Sequence, residues 1–179
     1  MARLLARTPA EGLGLPIAVG GVRISEVDLG PVASIAPFAG RAEEVAARLG
    51  AELPPPGQVA AVEGGRLLWT GPGRALLVGR APPDLRGLAA VVEQGDGIAA
   101  VMLEGASVRD VLARLVPLDL RDHEFPEGAT ARTLLNHMAV TLTRVGPGAW
   151  EILAMRSMAA TLVRELAEAM RHVEARAGL

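Results

Sequence analysis

An apolar pattern with helical spacing occurs twice in this chain, and it constrains the fold more than any other feature. The two copies lie sixty-six positions apart (108 − 42 = 66) and consist of Ala42, Val45, Ala46 and Leu49, then Val108, Val111, Leu112 and Leu115. A glycine-rich turn follows each copy, at 71–73 and 146–148. Behind each turn lies another apolar stripe, made of Leu85, Leu88, Ala89 and Val92, then Ala159, Leu162, Val163 and Leu166. Spacings of three and four residues are typical of one helix face, so the sequence predicts two similar β-α-β-β-α units.

The repeat predicts an organisation in three parts. Residues 1–20 form an irregular N-terminal arm that ties onto a neighbour, residues 21–95 form a first α+β unit, and residues 96–179 form a second. The expected fold class is α+β, with antiparallel sheets covered by helices on one face. The predicted strands lie at 21–27, 59–62, 66–70, 74–78, 98–103, 139–144 and 149–155, with a possible extra strand in each unit. The predicted helices lie at 41–49, from Pro82, at 108–115 and from Ser157, and residues 119–131 are expected to be irregular.

Composition narrows the possible partners. All eighteen basic residues are arginine, and the net charge is −2, with no basic block. This balance argues against nucleic acid as the main partner, while arginine suits ion-paired protein interfaces. The chain has no cysteine, which excludes disulfides and thiolate chemistry and fits a reducing compartment. The first residues are too charged for a signal peptide and no apolar run reaches the length of a membrane span, so we expect a cytoplasmic protein.

The glycine-rich turns and the serines form no recognisable catalytic motif. Residues 71–73 lie between two predicted strands, and Leu76 stands where a dinucleotide fingerprint needs glycine. A phosphate-binding Walker loop is excluded because the chain has no lysine. Ser107 and Ser157 precede predicted helices and are interpreted as caps, and Asp110 completes a helix-start signal with Ser107. The sequence therefore assigns no catalytic residue.

One polar cluster contains groups capable of chemistry: Asp119, Arg121, Asp122, His123 and Glu124. A carboxylate beside an imidazole can bind a metal or move protons. However, the last three residues are consecutive, so on a regular element their side chains point in different directions. A solvated, ion-paired loop is the favoured interpretation, and a metal site is the alternative.

Two other polar residues lie at predicted element ends. His137 precedes the strand at 139–144, and it is either a functional group or a half-buried histidine with satisfied hydrogen bonds; we favour the second. Arg156 lies between the last strand and the last helix, where a guanidinium can clamp a carboxylate. We favour a pairing within the chain, with a subunit contact as the alternative.

Short motifs between residue 30 and the last helix resemble one protein family. They are Ser34-Ile35-Ala36-Pro37-Phe38, Asp96-Gly97, the segment 108–115, Pro117-Leu118-Asp119-Leu120, Phe125-Pro126, Gly128, Ala131-Arg132-Thr133-Leu134, His137-Met138 and Arg156-Ser157. In this order and spacing they resemble the gamma subunit of heterotetrameric sarcosine oxidase. Met158 and Asn136 depart from the family pattern, in which phenylalanine and glycine are more usual.

The resemblance implies a structural role in a complex of four different subunits. Such a complex oxidises sarcosine to glycine and hydrogen peroxide, and the one-carbon unit passes to tetrahydrofolate or leaves as formaldehyde. FAD, FMN and NAD are expected in the alpha and beta subunits and zinc in the delta subunit, while the gamma subunit carries no cofactor. Its fold is related to the folate-binding domain of the glycine-cleavage aminomethyltransferase.

We therefore expect no catalytic, cofactor-binding or metal residues in this chain, and we expect alpha, beta and delta subunits as its partners. The candidate subunit contacts are Arg121, Phe125, His137 and Arg156. The alternative function is a folate-binding module for one-carbon transfer, which needs a carboxylate to hold the pterin ring. Glu104 and Glu151 are the carboxylates to consider, although surface roles are favoured for both.

Overall fold

A computed structural model describes residues 6–177. In this part of the chain there are eleven strands and three α-helices. The strands are β1 (Ile17–Val19), β2 (Val22–Glu26), β3 (Val32–Pro37), β4 (Val59–Val62), β5 (Gly65–Gly71), β6 (Arg74–Val78), β7 (Ala89–Glu93), β8 (Ile98–Gly105), β9 (Thr130–Leu135), β10 (Met138–Gly146) and β11 (Ala149–Met155). The helices are α1 (Ala42–Leu49), α2 (Val108–Leu112) and α3 (Ala159–Ala177).

The strands form two antiparallel sheets. One has six strands in the order β1-β2-β8-β11-β10-β9, and the other has five in the order β4-β5-β6-β3-β7. Every strand pairing is antiparallel. Together with the three helices, these sheets confirm the predicted α+β class.

The two sheets repeat one connectivity. In the five-stranded sheet the chain runs β3, α1, β4, β5, β6, and these strands lie in the order β4-β5-β6-β3. In the six-stranded sheet it runs β8, α2, β9, β10, β11, and the order β9-β10-β11-β8 is the same. Because α1 and α2 carry the two copies of the apolar pattern, the doubled pattern in the sequence corresponds to a doubled chain path.

The repeated connectivity ends at β6 in the first copy and at β11 in the second, each the fifth element of its copy. The predicted helix from Pro82 is wrong, because a turn at Leu85 leads instead into β7. The amide of Ala89 donates to the Leu85 carbonyl at 3.1 Å, and Gly87 has a φ of 74°, outside the right-handed helical region. From Ala89 onward the backbone pairs with β3, and the β-branched residues 91–92 favour this extended form.

The predicted first strand joins the opposite sheet. β2 pairs with β8, with Val22 opposite Gly105, and β1 then pairs with β2. Residues 17–19, which fall in the stretch expected to be irregular, are thus a strand. The six-stranded sheet therefore combines strands from near both ends of the chain.

One strand and two helix boundaries in the second half differ from the prediction. β9 was not predicted, because the sequence indicated an irregular stretch up to residue 131 and assigned the next strand only from residue 139. α2 ends at Leu112 rather than Leu115, and Ser107 occupies its N-cap position without a side-chain capping bond. α3 begins at Ala159, because residues 156–158, which include Ser157, form a turn of 3-10 helix.

The described part of the N-terminal arm ties onto this chain itself. Glu26 on β2 accepts a hydrogen bond from the Thr8 hydroxyl and another from the Ala10 amide, each at 2.8 Å. Arg156 donates to the carbonyl of Arg7. The arm therefore closes back over the six-stranded sheet.

The elements stack in four layers: α2 and α3, the six-stranded sheet, the five-stranded sheet, and α1. Alternation along β11 shows the arrangement, because Trp150 and Ile152 pack with the helices while Leu153 packs against the second sheet. The layer under α2 and α3 contains twenty-three buried apolar residues, against eight in the layer under α1. Most of the described core thus lies on one side of the molecule.

Candidate functional site

A row of buried polar side chains crosses the six-stranded sheet on the face toward the other sheet. Thr130, Thr143 and Glu151 lie side by side on β9, β10 and β11, and they are 1%, 2% and 1% exposed. The two threonine hydroxyls are 2.9 Å apart and bond to each other. Buried polar groups are normally hydrogen-bonded, so Glu151 also requires a partner between the sheets.

Arg66 on β5 provides that partner from the opposite sheet. Its Nη2 donates to both carboxylate oxygens of Glu151 at 2.6 Å. A buried charge left without its partner is strongly destabilising, so each member holds the other in place. The Arg66–Glu151 ion pair therefore fixes the two sheets against each other.

The two carboxylates considered for a pterin ring are not placed to hold one. Glu151 is buried and bound to Arg66, so the surface role favoured from the sequence is wrong for this residue. Glu104 is exposed on β8, where it lies opposite Arg23 on β2 and Ala149 on β11. Neither side chain lines the opening between the sheets.

That opening is a cleft of about 490 Å³ at one end of the space between the sheets. It is lined by both sheets, with Leu76, Ile98 and Leu153 among its apolar residues. Its polar lining consists of Ser34, Thr70, Arg74, Gln94, Arg132 and Thr141. The volume falls in the range of about 300–1,000 Å³ that is usual for ligand sites.

The cleft carries positive charge without a matching acid. Arg74 and Arg132 line it, and no aspartate or glutamate does. Arg132 donates only a long bond of 3.4 Å to the Thr70 carbonyl. Among residues 6–177 no carboxylate lies within 4.0 Å of either guanidinium. The chemistry of this cleft therefore favours an anionic group next to an apolar one.

The predicted polar cluster is a network of surface ion pairs. Arg121 binds Asp119 through both its backbone and its side chain, and this holds the pKa of the Asp119 carboxyl at about 2, below its usual 3.8. Asp122 accepts from Arg109 at 3.1 Å and from Arg144 at 2.9 Å. These pairs agree with the ion-paired loop favoured from the sequence. Within the described residues no group of three or more histidine, cysteine or acidic side chains is placed to hold a metal.

The other candidate contacts lie in three different environments. Phe125 is buried and packs on Trp150, with the ring centroids 5.2 Å apart. His137 is exposed at the turn between β9 and β10, which corrects the half-buried histidine expected from the sequence. Arg156 binds within the chain, to the carbonyl of Arg7. The structure does not bring these residues together with Arg121 into one surface.

Sequence reasoning did not identify the Arg66–Glu151 pair or the cleft. The two charged residues are eighty-five positions apart (151 − 66 = 85), and neither belongs to a motif. Arg74 and Arg132 are ordinary strand residues whose proximity depends on how the sheets stack. The only signal was the alternation of β11, which places Glu151 on the same face as Leu153 and away from the helices.

Comparison with protein families gives a match over most of the chain. The model of the sarcosine oxidase, gamma subunit family matches residues 30–171, which is most of the chain. No curated protein sequence matches. In the described residues no helix is long and apolar enough to cross a membrane.

Solved structures resemble the chain, and two of them are informative. One is the heterotetrameric sarcosine oxidase from Corynebacterium sp. U-96 in complex with pyrrole 2-carboxylate, with a TM-score of 0.84 and 28% identity over 96% of this chain and 97% of that one. The other is the glycine cleavage system aminomethyltransferase T from Bartonella henselae, with a TM-score of 0.60 and 16% identity over 90% of this chain and 52% of that one. The second likeness shows a shared fold, as the resemblance in the sequence implied. With a family match of this extent, the chain belongs to the sarcosine oxidase gamma subunit family.

Proposed function

We propose that the chain is a structural gamma subunit of a heterotetrameric sarcosine oxidase and contributes no catalytic group of its own. The observation that carries the proposal is the match to a chain of such an oxidase from end to end, over 96% of this chain and 97% of the other. A chain that shares nearly the whole fold of its counterpart can fill the same place in an assembly. Its role is then to assemble and stabilise the oxidase.

The proposed complex contains alpha, beta and delta subunits as partners. It oxidises sarcosine to glycine and passes the one-carbon unit to tetrahydrofolate. FAD, FMN and NAD belong to the alpha and beta subunits and zinc to the delta subunit in this proposal, with none in the gamma chain. We place the complex in the cytoplasm, in keeping with the absence of cysteine from the sequence.

The buried polar groups support a structural role. In the described chain the three buried polar residues are Thr130, Thr143 and Glu151, and all three have partners within the protein. Glu151, the buried carboxylate, joins the two sheets through Arg66 instead of facing an open cavity. Polar side chains that are committed to internal bonds hold a shape.

Co-expression of the four subunits tests the proposal. We expect the alpha, beta and delta subunits to form an unstable or incomplete complex when this chain is omitted, with loss of sarcosine-dependent peroxide formation. Adding back the purified chain restores both. An oxidase of unchanged kcat and thermal stability without this chain would contradict the proposal.

A second measurement uses the purified chain alone. We expect no visible flavin absorbance and no saturable binding of tetrahydrofolate by calorimetry. Bound flavin at one equivalent, or saturable folate binding, would instead support a cofactor-binding or folate-binding role.

A further inference from the structure

Exposed apolar side chains concentrate around the cleft between the sheets. Three of the six large apolar side chains that are exposed in the described residues lie there: Met155 is 64% exposed, Val92 54% and Leu134 48%. Val92 lies opposite Ser34, Leu134 opposite Ala139, and Met155 opposite Ile98, and each opposing residue lines the cleft. Directly opposed residues project from the same face of a sheet, so the three side chains border the opening.

Two edge strands, one from each sheet, border the cleft. Val92 lies on β7 and Leu134 on β9, and each of these strands is at the edge of its sheet. An exposed edge strand with apolar side chains is a ready site for contact with another chain, and covering it is one way in which proteins protect such an edge. The border of the cleft therefore has the character of a surface that is incomplete in the isolated chain.

The charges indicate what covers this surface. Arg74 and Arg132 are exposed at the cleft and have no carboxylate partner among residues 6–177. Unsatisfied guanidinium groups beside apolar surface are matched by carboxylates beside an apolar side chain. A small anion inside the cleft would pair with the arginines but would leave the apolar border in water.

We propose that this cleft surface, formed by Arg74, Val92, Arg132, Leu134 and Met155, docks a segment of another subunit of the oxidase. The segment places an apolar side chain against Leu76 and Leu153 and presents carboxylates to the two arginines. The inference rests on the proposed function, because it takes the occupant from the same complex. It assigns the contact to residues other than Arg121, Phe125, His137 and Arg156.

Charge reversal at the arginines tests the docking surface. Arg74→Glu together with Arg132→Glu changes the formal charge by four units, and Arg171→Glu together with Arg176→Glu is the matched control. The control residues are exposed on α3, on the other side of the six-stranded sheet. Each variant is co-expressed with the other three subunits, one of which carries the affinity tag. We expect at least a tenfold loss of the chain from the purified complex for the first variant and normal recovery for the control.

An apolar pair tests the border independently. Met155→Asp lies at the cleft, whereas Val145→Asp changes an exposed apolar residue near the opposite end of β10. We expect Met155→Asp to reduce recovery in the complex and Val145→Asp to leave it unchanged. Circular dichroism and thermal unfolding of the isolated chains confirm that all variants fold.

The outcomes separate this inference from the proposed function. If the wild-type chain does not co-purify with the other subunits, the proposed function is wrong. If the wild-type chain co-purifies and the two cleft variants do so equally well, the proposed function stands and the docking surface is wrong. Equal losses in the cleft variants and their controls would also overturn it, because the effect would not be specific to the cleft.

Discussion

The two halves of the molecule follow the same path for five elements and then diverge. After β6 the five-stranded half continues into β7, an edge strand with only Ala89 buried. After β11 the six-stranded half continues into α3, a helix of nineteen residues that buries seven apolar side chains. A shared strand order therefore does not determine the layer that covers a sheet. The six-stranded half, which gains α3, has the larger core. The stability of the five-stranded half therefore depends more on packing against the six-stranded half.

Replacing one buried leucine by alanine in each of the two diverging segments tests this difference, and we expect the largest change in the free energy of unfolding here. Leu162 on α3 and Leu85 before β7 are both buried, at 0% and 2% exposure. We expect Leu162→Ala to lower the free energy of unfolding by about 4 kcal/mol and Leu85→Ala by about 2 kcal/mol, since a loose turn can collapse into the space more easily than a helix can. Chemical denaturation measures both. A larger loss for Leu85→Ala would reverse the comparison.

Breaking the ion pair between the sheets tests how firmly the halves are joined. Arg66→Met leaves Glu151 buried without a partner, and we expect a loss of about 3 kcal/mol at pH 7. The double variant Arg66→Met with Glu151→Leu restores most of this stability, because it removes the stranded charge. If the single and double variants were equally unstable, packing by the arginine stem rather than the ion pair would join the sheets.

The attachment of β2 to β8 is a feature of the six-stranded half alone. A Cβ on Gly105 would lie 2.1 Å from the carbonyl oxygen of Gly21, whereas one on Gly73 would meet nothing within 4 Å. Both glycines have positive φ, so alanine strains the backbone at either position. We expect Gly105→Ala to destabilise the chain by about 2 kcal/mol and to speed amide exchange in β2. The control Gly73→Ala should have the smaller effect and leave β2 protected.

The smallest expected effect concerns a motif that the two halves share. Asp84-Leu85-Arg86 and Asp119-Leu120-Arg121 form the same local structure, in which the arginine donates to the aspartate through its backbone and side chain. In each case the arginine lowers the carboxyl pKa from 3.8 to about 2. The stabilisation by these pairs is therefore present above about pH 4 and is lost as the pH falls through 2.

Nuclear magnetic resonance titration measures those two pKa values directly. We expect Arg86→Gln to raise the pKa of Asp84, and Arg121→Gln to raise that of Asp119, toward the ordinary value of about 3.9. In each variant, the aspartate of the unsubstituted motif in the other half serves as the internal control. A shift at the distant aspartate would show that the motifs are coupled, which the structure gives no reason to expect.

The local signals in the sequence predicted some elements closely. The helix expected at 41–49 is α1 (Ala42–Leu49), and Gly50 ends it with a φ of 82° and a bond from its amide to the Ala46 carbonyl at 2.8 Å. Such elements are specified by neighbouring residues, through the apolar spacing and the glycine cap. The doubled pattern identified the repeat for the same reason.

The helix predicted from Pro82 is wrong because the spacing of the apolar residues before Glu93 does not by itself distinguish a helix from a strand. Leu85, Leu88, Ala89 and Val92 fit one helix face, but Gly87 interrupts the helix and β3 offers a free edge for pairing. That edge is formed by residues more than fifty positions earlier in the chain, so no local pattern shows it. Long-range pairing overrides local preference in such cases.

The candidate site was less predictable than the fold. Arg66, Arg74, Arg132 and Glu151 acquire their roles only when two sheets stack and place distant strands face to face. The family resemblance indicated what the chain assembles with, but its motifs lie mostly in loops and element ends. Of the surface residues selected from the sequence, Arg156 lies in one of those motifs and Arg121 in the polar cluster, and both proved to be bound within the chain.

The pairing of β2 with β8 has a consequence for how the chain folds during synthesis. β2 leaves the ribosome about eighty residues before β8, which at about 5–20 residues per second is a delay of roughly 4–16 s. The whole five-stranded half emerges in that interval, while β1, β2 and the arm have no sheet to join. The N-terminal segment must therefore remain without its neighbour β8, and without aggregating, until the second half is synthesised. The glycines and prolines of the arm and the charged Arg23 and Glu26 of β2 oppose aggregation in that interval.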